Sequence, residues 1–279
     1  MRLESVELKR KESGRQRYPA ASELLRLPLH IAKLAKRWAV AAKSFILLIA
    51  CNACVERRTA HGMRFLLMTE GNTFERSLAA FRATVAGRDL LKRRPDLRAL
   101  CRDRAALQKC PPGSLGRLYA EFMTIHGLEE ELYFGVAIEQ GRQFADDAAR
   151  EWFHIRMDAS HDVRHVLTGY GPDVLGEICL VSFRFAQTRH AGILAIFLLG
   201  LLNLMFTSRA AVIGPVLEAY QRGRHAELLD LLPWENGLAQ SLASHRAALG
   251  ISPPTRYPST FAPDAYVSLE NVTQQSVLS

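Results

Sequence analysis

The sequence predicts an all-α fold: a single multi-helix domain with a metal site on a helix hairpin and a basic N-terminal extension. Apolar residues recur at three- and four-residue spacing over most of the chain, strand-like alternation is rare, and potential metal ligands cluster around one turn. With 279 residues, 48% of them hydrophobic, the chain can bury a substantial core. We expect an extension at 1–60, a helical domain at 61–251 and an irregular tail at 252–279.

The N-terminal extension carries the whole excess of positive charge. Residues 1–60 contain 13 Lys and Arg against 5 Asp and Glu, which leaves 23 of each kind for the rest of the chain. Because the remainder has no basic stripe interleaved with aromatic residues, we expect no nucleic-acid partner and favour an anionic membrane surface. The acidic residues of the extension also argue against an organellar transit peptide.

The extension divides into two parts. Residues 1–20 lack useful periodicity and are expected to be disordered, whereas residues 22–55 predict a helix that is first amphipathic and then apolar. Its apolar part is shorter than the roughly 20 residues that span a bilayer, so an interfacial helix is favoured over a signal anchor.

Helices are expected to follow one another from residue 64 onward. Pro111 to Gly116 form a turn into a helix that starts at about Ser114 and buries Tyr119, Phe122 and Met123. Residues 191–206 are the most apolar segment, and an all-apolar helix must be covered by protein or lipid. Further helices are predicted over 74–85, 89–100, 132–151, 152–165, 176–187, 211–222 and 226–249.

The motifs of several enzyme classes are absent from the sequence. It has no GxGxxG after a strand, no GxxxxGK[ST] and no GxSxG, so dinucleotide, P-loop and serine hydrolase chemistry lack support. Five scattered cysteines favour a reducing compartment, and Cys51 and Cys54 form a CxxC in an apolar run typical of buried thiols. Any catalysis is therefore expected to depend on a metal.

Four potential metal ligands surround one turn. His161 and His165 are four residues apart on a predicted helix, so both imidazoles share a face, with Asp162 beside them. The string TGYGP ends that helix, and Asp173 is suited to cap a second helix whose first turn holds Glu177. Two imidazoles and two carboxylates suit zinc or another divalent ion. The alternative is a solvated helix end followed by a capped restart.

Four strings, in this order and spacing, resemble the coenzyme Q biosynthesis protein 4 family, which acts in ubiquinone biosynthesis. They are PPGSLGRLYAEF at 111–122, HDVRHVLTGYGPDVLGE at 161–177, FAQT at 185–188 and WENGLAQSLASHRAALGI at 234–251. The resemblance covers roughly residues 64–251, so we expect residues 61–251 to be a ubiquinone-biosynthesis domain.

The resemblance implies specific roles for the four ligands. His161, Asp162, His165 and Glu177 would be both the metal ligands and the catalytic group, with zinc as the expected ion and iron or another metal left open. Asp162 has an alternative role, which is to orient an imidazole through a hydrogen bond. Arg164 either attracts a substrate carboxylate or is an exposed helix cation.

The resemblance leaves two functions open. One is a metal-dependent C1 decarboxylase and hydroxylase of lyase type, which replaces the carboxyl group at ring carbon 1 of a polyprenylated hydroxybenzoate with a hydroxyl group. The other is a non-catalytic lipid-binding scaffold that organises the ubiquinone biosynthetic complex. A metal phosphohydrolase is disfavoured, because that class typically needs a separate upstream His and a downstream Asp.

The implied partners are a polyprenylated quinone precursor, the other ubiquinone-biosynthesis enzymes and a membrane surface, and a homodimer is left open. The expected location is peripheral, at the cytoplasmic face of a bacterial inner membrane, or at the mitochondrial inner membrane in a eukaryote. The expected binding site for the polyprenyl tail consists of Ile193, Phe197, Leu198, Leu201 and Phe206. The alternative is that these side chains pack in the protein core.

Overall fold

The computed structural model of the protein describes residues 35–46, 55–128, 147–207 and 212–258. The expectations for residues 1–34, for the Cys51 and Cys54 pair, for most of the predicted helix at 132–151 and for the tail beyond 258 lie outside these ranges. The chain divides into two units, 1–40 and 41–279. Of the first unit, only residues 35–40 are described, and they are helical. The packing described below belongs to the second.

The described residues form helices and turns without a β-strand, which confirms the all-α prediction. The helices in chain order are α1 (35–46), α2 (Val55–Thr69), α3 (Thr73–Ala83), α4 (Val85–Arg93), α5 (Leu97–Arg102), α6 (Arg104–Gln108), α7 (Leu115–Ile125), α8 (Ala148–Ala159), α9 (His161–Thr168), α10 (Val174–Thr188), α11 (Ala191–Thr207), α12 (Ile213–His225), a 3₁₀ helix (Leu229–Leu231), α13 (Trp234–Gly237) and α14 (Leu242–Leu249).

Three predicted helices are wrong as continuous elements. The segment 152–165 splits at Ser160, whose ψ of 1° departs from helical geometry and whose hydroxyl donates to the Met157 carbonyl at 2.9 Å. The segment 226–249 contains only short helices, because Pro233 has no N–H to donate and holds Leu232 in an extended conformation.

The segment 89–100 is likewise interrupted. The chain leaves α4 through Arg94 in the left-handed conformation, with φ 46°, and Pro95 follows. A new helix begins only after Asp96, whose carboxylate accepts hydrogen bonds from the N–H groups of Arg98 and Ala99. Proline and this capping residue together explain why the apolar period does not extend through the segment.

The larger hydrophobic core surrounds α7, α9, α10 and α12. Tyr119, Phe122 and Met123 on α7 are completely buried in it, as predicted. The Ser114 hydroxyl caps α7 by accepting from the Arg117 N–H. A smaller cluster of aromatic and leucine side chains joins α3, α4 and α8; its members are Phe74, Leu78, Phe81, Leu90 and Phe153.

Helices α10 and α12 pack closely against each other over much of their length. The Ser182 hydroxyl on α10 donates to the Val216 carbonyl on α12 at 3.0 Å. A Cβ atom placed on Gly223 would lie only 2.4 Å from the Phe183 carbonyl oxygen, so this approach requires glycine. The contact fixes α10, the helix that carries Glu177.

Helix α11 is only partly covered by protein. Ile193 and Leu204 are buried, and Phe197 and Leu201 pack against the larger core. On the opposite side, Leu198, Leu202, Met205 and Phe206 are exposed. Among the described residues, no helix combines the length and apolar character needed to cross a membrane.

Candidate metal centre

The turn between α9 and α10 is built by local sequence signals. Gly169, with φ 81°, ends α9 and donates its N–H to the His165 carbonyl at 2.8 Å. Asp173 then caps α10, its Oδ1 accepting from the N–H groups of Leu175 and Gly176 at 3.0 Å each. The predicted helix hairpin is therefore present, and it brings the first turn of α10 beside α9.

Three of the four predicted ligands meet at this hairpin. His161 Nε2 lies 3.2 Å from His165 Nε2. Glu177 places Oε2 3.6 Å from His161 Nε2 and Oε1 3.4 Å from His165 Nε2. One ligand atom from each residue lies within 4.8 Å of the others.

These separations fit a divalent ion. Zinc bonds of about 2.1 Å to nitrogen and oxygen in tetrahedral geometry require ligand atoms roughly 3.4 Å apart. The three separations range from 3.2 to 3.6 Å, with Glu177 directing a different oxygen toward each imidazole. The two His–Glu distances are also longer than good hydrogen bonds, which leaves these groups incompletely satisfied by each other.

His165 is held in the tautomer that a metal requires. Its Nδ1 lies 3.1 Å from the Tyr170 carbonyl, and since a carbonyl can only accept, Nδ1 carries the proton and Nε2 presents a lone pair. Its ring is buried and stacks against Phe122, with the ring centres 5.9 Å apart. This fixed orientation makes His165 the most constrained member of the group.

The Glu177 carboxylate and the two imidazoles affect each other's ionisation. Burial disfavours the Glu177 carboxylate, but His165 and His161 outweigh it and lower the pKa of Glu177 well below its usual range. Burial likewise disfavours protonated His165, yet the Glu177 carboxylate outweighs burial and raises the pKa of His165. The carboxylate is thus anionic at neutral pH, as a metal ligand must be.

One side of the group is accessible. The side chains of His161 and Glu177 are 38% and 41% exposed, whereas that of His165 is 1% exposed. Asp162 is not a member of the three-residue group, although its carboxylate lies near enough to favour protonated His165. The geometry is compatible with a three-ligand site whose accessible side would admit a further ligand.

Arg164 lies in the interior, so its interpretation as an exposed helix cation is wrong. Its side chain is 1% exposed and donates to Asp230 Oδ1 at 3.0 Å, while Ser77 donates to Asp230 Oδ2 at 3.0 Å. Burial lowers the pKa of Arg164 to about 9, which still leaves it charged at neutral pH. The buried pair joins α9 to the 3₁₀ helix and to α3.

The five residues predicted to bind a polyprenyl tail do not share one environment. Ile193 lines a cavity, while Phe197 and Leu201 are half-buried against the larger core. Leu198 and Phe206 are 52% and 85% exposed. Their common role in binding a tail stays a prediction.

A cavity that the sequence interpretation missed opens between α2, α3, α8, α10 and α11. Its volume is about 750 Å³, including the part open to solvent. Arg184 and Asp158 are charged residues of its wall. A signal for Arg184 was available, because it follows Glu177 by seven residues, or two helical turns, on the same face of α10.

The fold and site together define an all-helical protein with two histidines and one carboxylate grouped at a helix hairpin. The chain belongs to the family described as coenzyme Q (ubiquinone) biosynthesis protein Coq4, since the sequence model of that family matches residues 39–255. This match confirms the resemblance found in the motifs at 111–122, 161–177 and 234–251.

Mitochondrial proteins are among the relatives of this chain. The mouse protein described as "Ubiquinone biosynthesis protein COQ4 homolog, mitochondrial" is 28% identical over 172 residues, which are 61% of this chain and 62% of the mouse protein. The human protein with the same description is 29% identical over 169 residues, 60% of this chain and 62% of its own length. The chain thus spans about three fifths of the length of these relatives.

A solved structure supports the fold. The crystal structure of a candidate ubiquinone biosynthesis protein from Nostoc punctiforme matches with a TM-score of 0.56 and 19% identity. The match covers 75% of this chain and 96% of the Nostoc chain. At this identity, the similarity bears on the helical architecture alone.

Proposed function

We propose that this protein acts in ubiquinone biosynthesis as a metal-dependent enzyme. Its reaction would replace the carboxyl group at ring carbon 1 of a polyprenylated hydroxybenzoate with a hydroxyl group. The carboxyl carbon leaves as carbon dioxide, one atom of dioxygen becomes the hydroxyl oxygen, and the other leaves as water with two protons and two electrons from an external reductant. The observation that carries the proposal is the meeting of His161, His165 and Glu177 at ligand distances on an accessible surface.

Each residue of the group has a distinct part in this proposal. His165 fixes the position of the site, because its Nδ1 hydrogen bond and its burial leave Nε2 one direction in which to bind. His161 and Glu177 complete the ligand set from the accessible side. A divalent ion bound there would act as a Lewis acid that neutralises the substrate carboxylate. Asp162 is positioned to support the imidazoles electrostatically.

We also propose that the protein works at a membrane surface, in keeping with a long-tailed substrate. Helix α11 presents Leu198, Leu202 and Phe206 to solvent, each more than half exposed. An apolar face of this kind suits partial insertion into the lipid interface. The place of action proposed for a bacterial chain is the inner face of the cytoplasmic membrane, and that for a eukaryotic chain is the mitochondrial inner membrane.

The combined substitution of His161→Ala and Glu177→Ala tests the enzymatic proposal. With a short-tailed polyprenylated hydroxybenzoate, added divalent metal, dioxygen and a two-electron reductant, the native protein should release carbon dioxide and form the C1 hydroxyl product. The variant should lose at least about a hundredfold in turnover, since several kcal/mol of charge stabilisation are removed. Product formation is followed by mass spectrometry and folding by circular dichroism.

The matched control is His225→Ala, which removes an exposed imidazole on α12. It should leave turnover unchanged. If the native protein showed no turnover with any divalent metal, while the double variant failed to assemble with the other pathway enzymes, the scaffold function would replace the enzymatic one.

A further inference from the structure

The cavity between α2, α3, α8, α10 and α11 has the composition of a small-molecule site. Its apolar wall includes Met63, Leu66, Met157 and Ile193, and a few polar groups converge on the same space.

Arg184 is the polar group in this cavity whose hydrogen bonding is incomplete. Its Nε is shielded from solvent and has no hydrogen-bond partner in the structure. A buried guanidinium N–H without an acceptor costs free energy, so an acceptor supplied by a ligand would be favoured.

The other carboxylates near Arg184 already have partners. Both oxygens of Asp230 accept hydrogen bonds, one from Arg164 and one from Ser77. Glu70 faces His154 across 3.7 Å. Asp158 remains as the other carboxylate in the wall of the same cavity, and in the described part of the chain no ion pair joins it to Arg184.

Asp158 and Arg184 are electrostatic neighbours even though they are not in contact. Asp158 is an exposed residue at the open cavity, where partial desolvation raises the pKa of its carboxyl and the Arg184 guanidinium opposes this effect. The facing pair therefore offers a donor on one side and an acceptor on the other. A hydroxyl group, which both accepts and donates, satisfies both.

Both members of the pair are close to metal ligands along the chain. Arg184 follows Glu177 by two turns on α10, about 10 Å along the axis, and helical side chains lean toward the N-terminus and hence toward Glu177. Asp158 precedes His161 by three residues and is close enough for His161 to affect its ionisation.

We infer that Arg184 and Asp158 form a binding subsite for the phenolic hydroxyl of an aromatic substrate. Arg184 Nε donates to the phenol oxygen, and Asp158 accepts the phenol hydrogen. The inference rests on the proposed function in one respect, since it assigns the opposite end of the ring, which bears the carboxyl group, to the metal centre.

Three test compounds distinguish binding at this subsite from binding at the metal centre. They are geranylated 4-hydroxybenzoate, its 4-methyl ether and the corresponding geranylphenol without a carboxyl group. Dissociation constants are measured by calorimetry with and without added zinc. The native protein should bind the hydroxyl compound at least about tenfold more tightly than the methyl ether, because the ether cannot donate to Asp158 and crowds the site.

Substitutions of Arg184 and Asp158 test the contribution of each residue to binding of the phenol and of its methyl ether. Asp158→Ala should reduce the tenfold ratio to nearly one, because the acceptor of the phenol hydrogen is lost. Arg184→Gln should weaken binding of the phenol and of the ether at least about fivefold, because the oxygen of either ligand accepts from Nε. Arg224→Gln, which changes an exposed arginine on α12, should leave both affinities intact. Thermal unfolding checks that each variant is folded. A native protein that binds the ether and the phenol equally, or unchanged affinity for both ligands in folded Arg184→Gln, would overturn the subsite.

Binding of geranylphenol, which lacks the carboxyl group, tests the proposed function independently of the subsite. If loss of the carboxyl group leaves affinity unchanged and zinc has no effect, the metal-centred function fails while hydroxyl discrimination can still support the subsite. If zinc strengthens binding only of the carboxylated ligands but the ether binds as well as the phenol, the subsite fails and the metal centre stands.

Discussion

The buried pair of Arg164 and Asp230 shows how single residues stabilise the region around the metal centre. Asp230 accepts from Arg164 on the helix that also carries His161 and His165, and from Ser77 on α3. Burial disfavours the Asp230 carboxylate, but the Arg164 guanidinium outweighs burial and lowers its pKa from 3.8. The ionised pair is therefore the stable state at neutral pH.

Replacing Asp230 with Asn should destabilise the protein by about 3–5 kcal/mol at pH 7, because it leaves the Arg164 charge buried without its partner. The pKa of Asp230 is lower in the folded state than in the unfolded one, so its contribution is present above about pH 4 and is lost as pH falls further. The stability difference between native and variant proteins should accordingly shrink below pH 4. Urea unfolding over a pH series measures it.

The control for the Asp230→Asn variant is Asp89→Asn, which removes a carboxylate from an exposed ion pair with Arg93. This variant should be nearly as stable as the native protein, since exposed pairs contribute little. Equal losses of stability in the two variants would refute a special role for the buried pair.

The junction of α10 with α12 governs the placement of Glu177. Gly223 lets the two backbones approach, because any Cβ there would contact the Phe183 carbonyl at 2.4 Å. Gly223→Ala should therefore destabilise the fold by about 1–3 kcal/mol through overpacking, although alanine favours helices more than glycine does. Chemical denaturation gives the free energy of unfolding.

Arg224→Ala changes the neighbouring, exposed position of α12 and should alter stability by less than about 0.5 kcal/mol. A Gly223→Ala variant as stable as the native protein would mean that α10 and α12 can separate without cost.

The elements that could be predicted from sequence are those set by local signals. Asp173 and Gly169 act within one turn of their own positions, and the spacing of His161 and His165 is a property of a single helix. These signals are enough to specify the hairpin and three ligands. By contrast, Pro233 interrupts a periodic stretch whose apolar pattern continues beyond it, so periodicity alone gave one helix where the chain has several short ones.

Features that depend on residues far apart in the chain could not be read from the sequence. Arg164 is buried only because Asp230, 66 residues later, supplies a partner. The cavity similarly needs α2, α3, α8, α10 and α11 in place before Arg184 and Asp158 face the same space. No local pattern specifies that arrangement.

At the scale of the whole molecule, the exposed face of α11 is the surface best suited to lipid. Leu198→Ser combined with Leu202→Ser should weaken association with anionic phospholipid vesicles at least about tenfold, since each leucine buried in lipid contributes about 1.5–3 kcal/mol. Both side chains are more than half exposed, so folding should be retained. Vesicle co-sedimentation measures the association.

Val85→Ser combined with Leu100→Ser removes two other exposed apolar side chains, from α4 and α5, and should not affect vesicle binding. Unchanged binding of the α11 variant would contradict the lipid assignment. A shift from dimer to monomer in that variant, without any effect of vesicles, would assign the face to a second copy of the chain.

The account as a whole depends on a divalent ion held by side chains of two successive helices. The most direct test is calorimetric titration of zinc into metal-stripped protein, native and with His165→Ala. The native chain should bind one zinc ion, and the variant should bind it at least about a hundredfold more weakly while an exposed control, His225→Ala, binds normally. Equal zinc affinity in the native protein and the His165→Ala variant would contradict the metal centre.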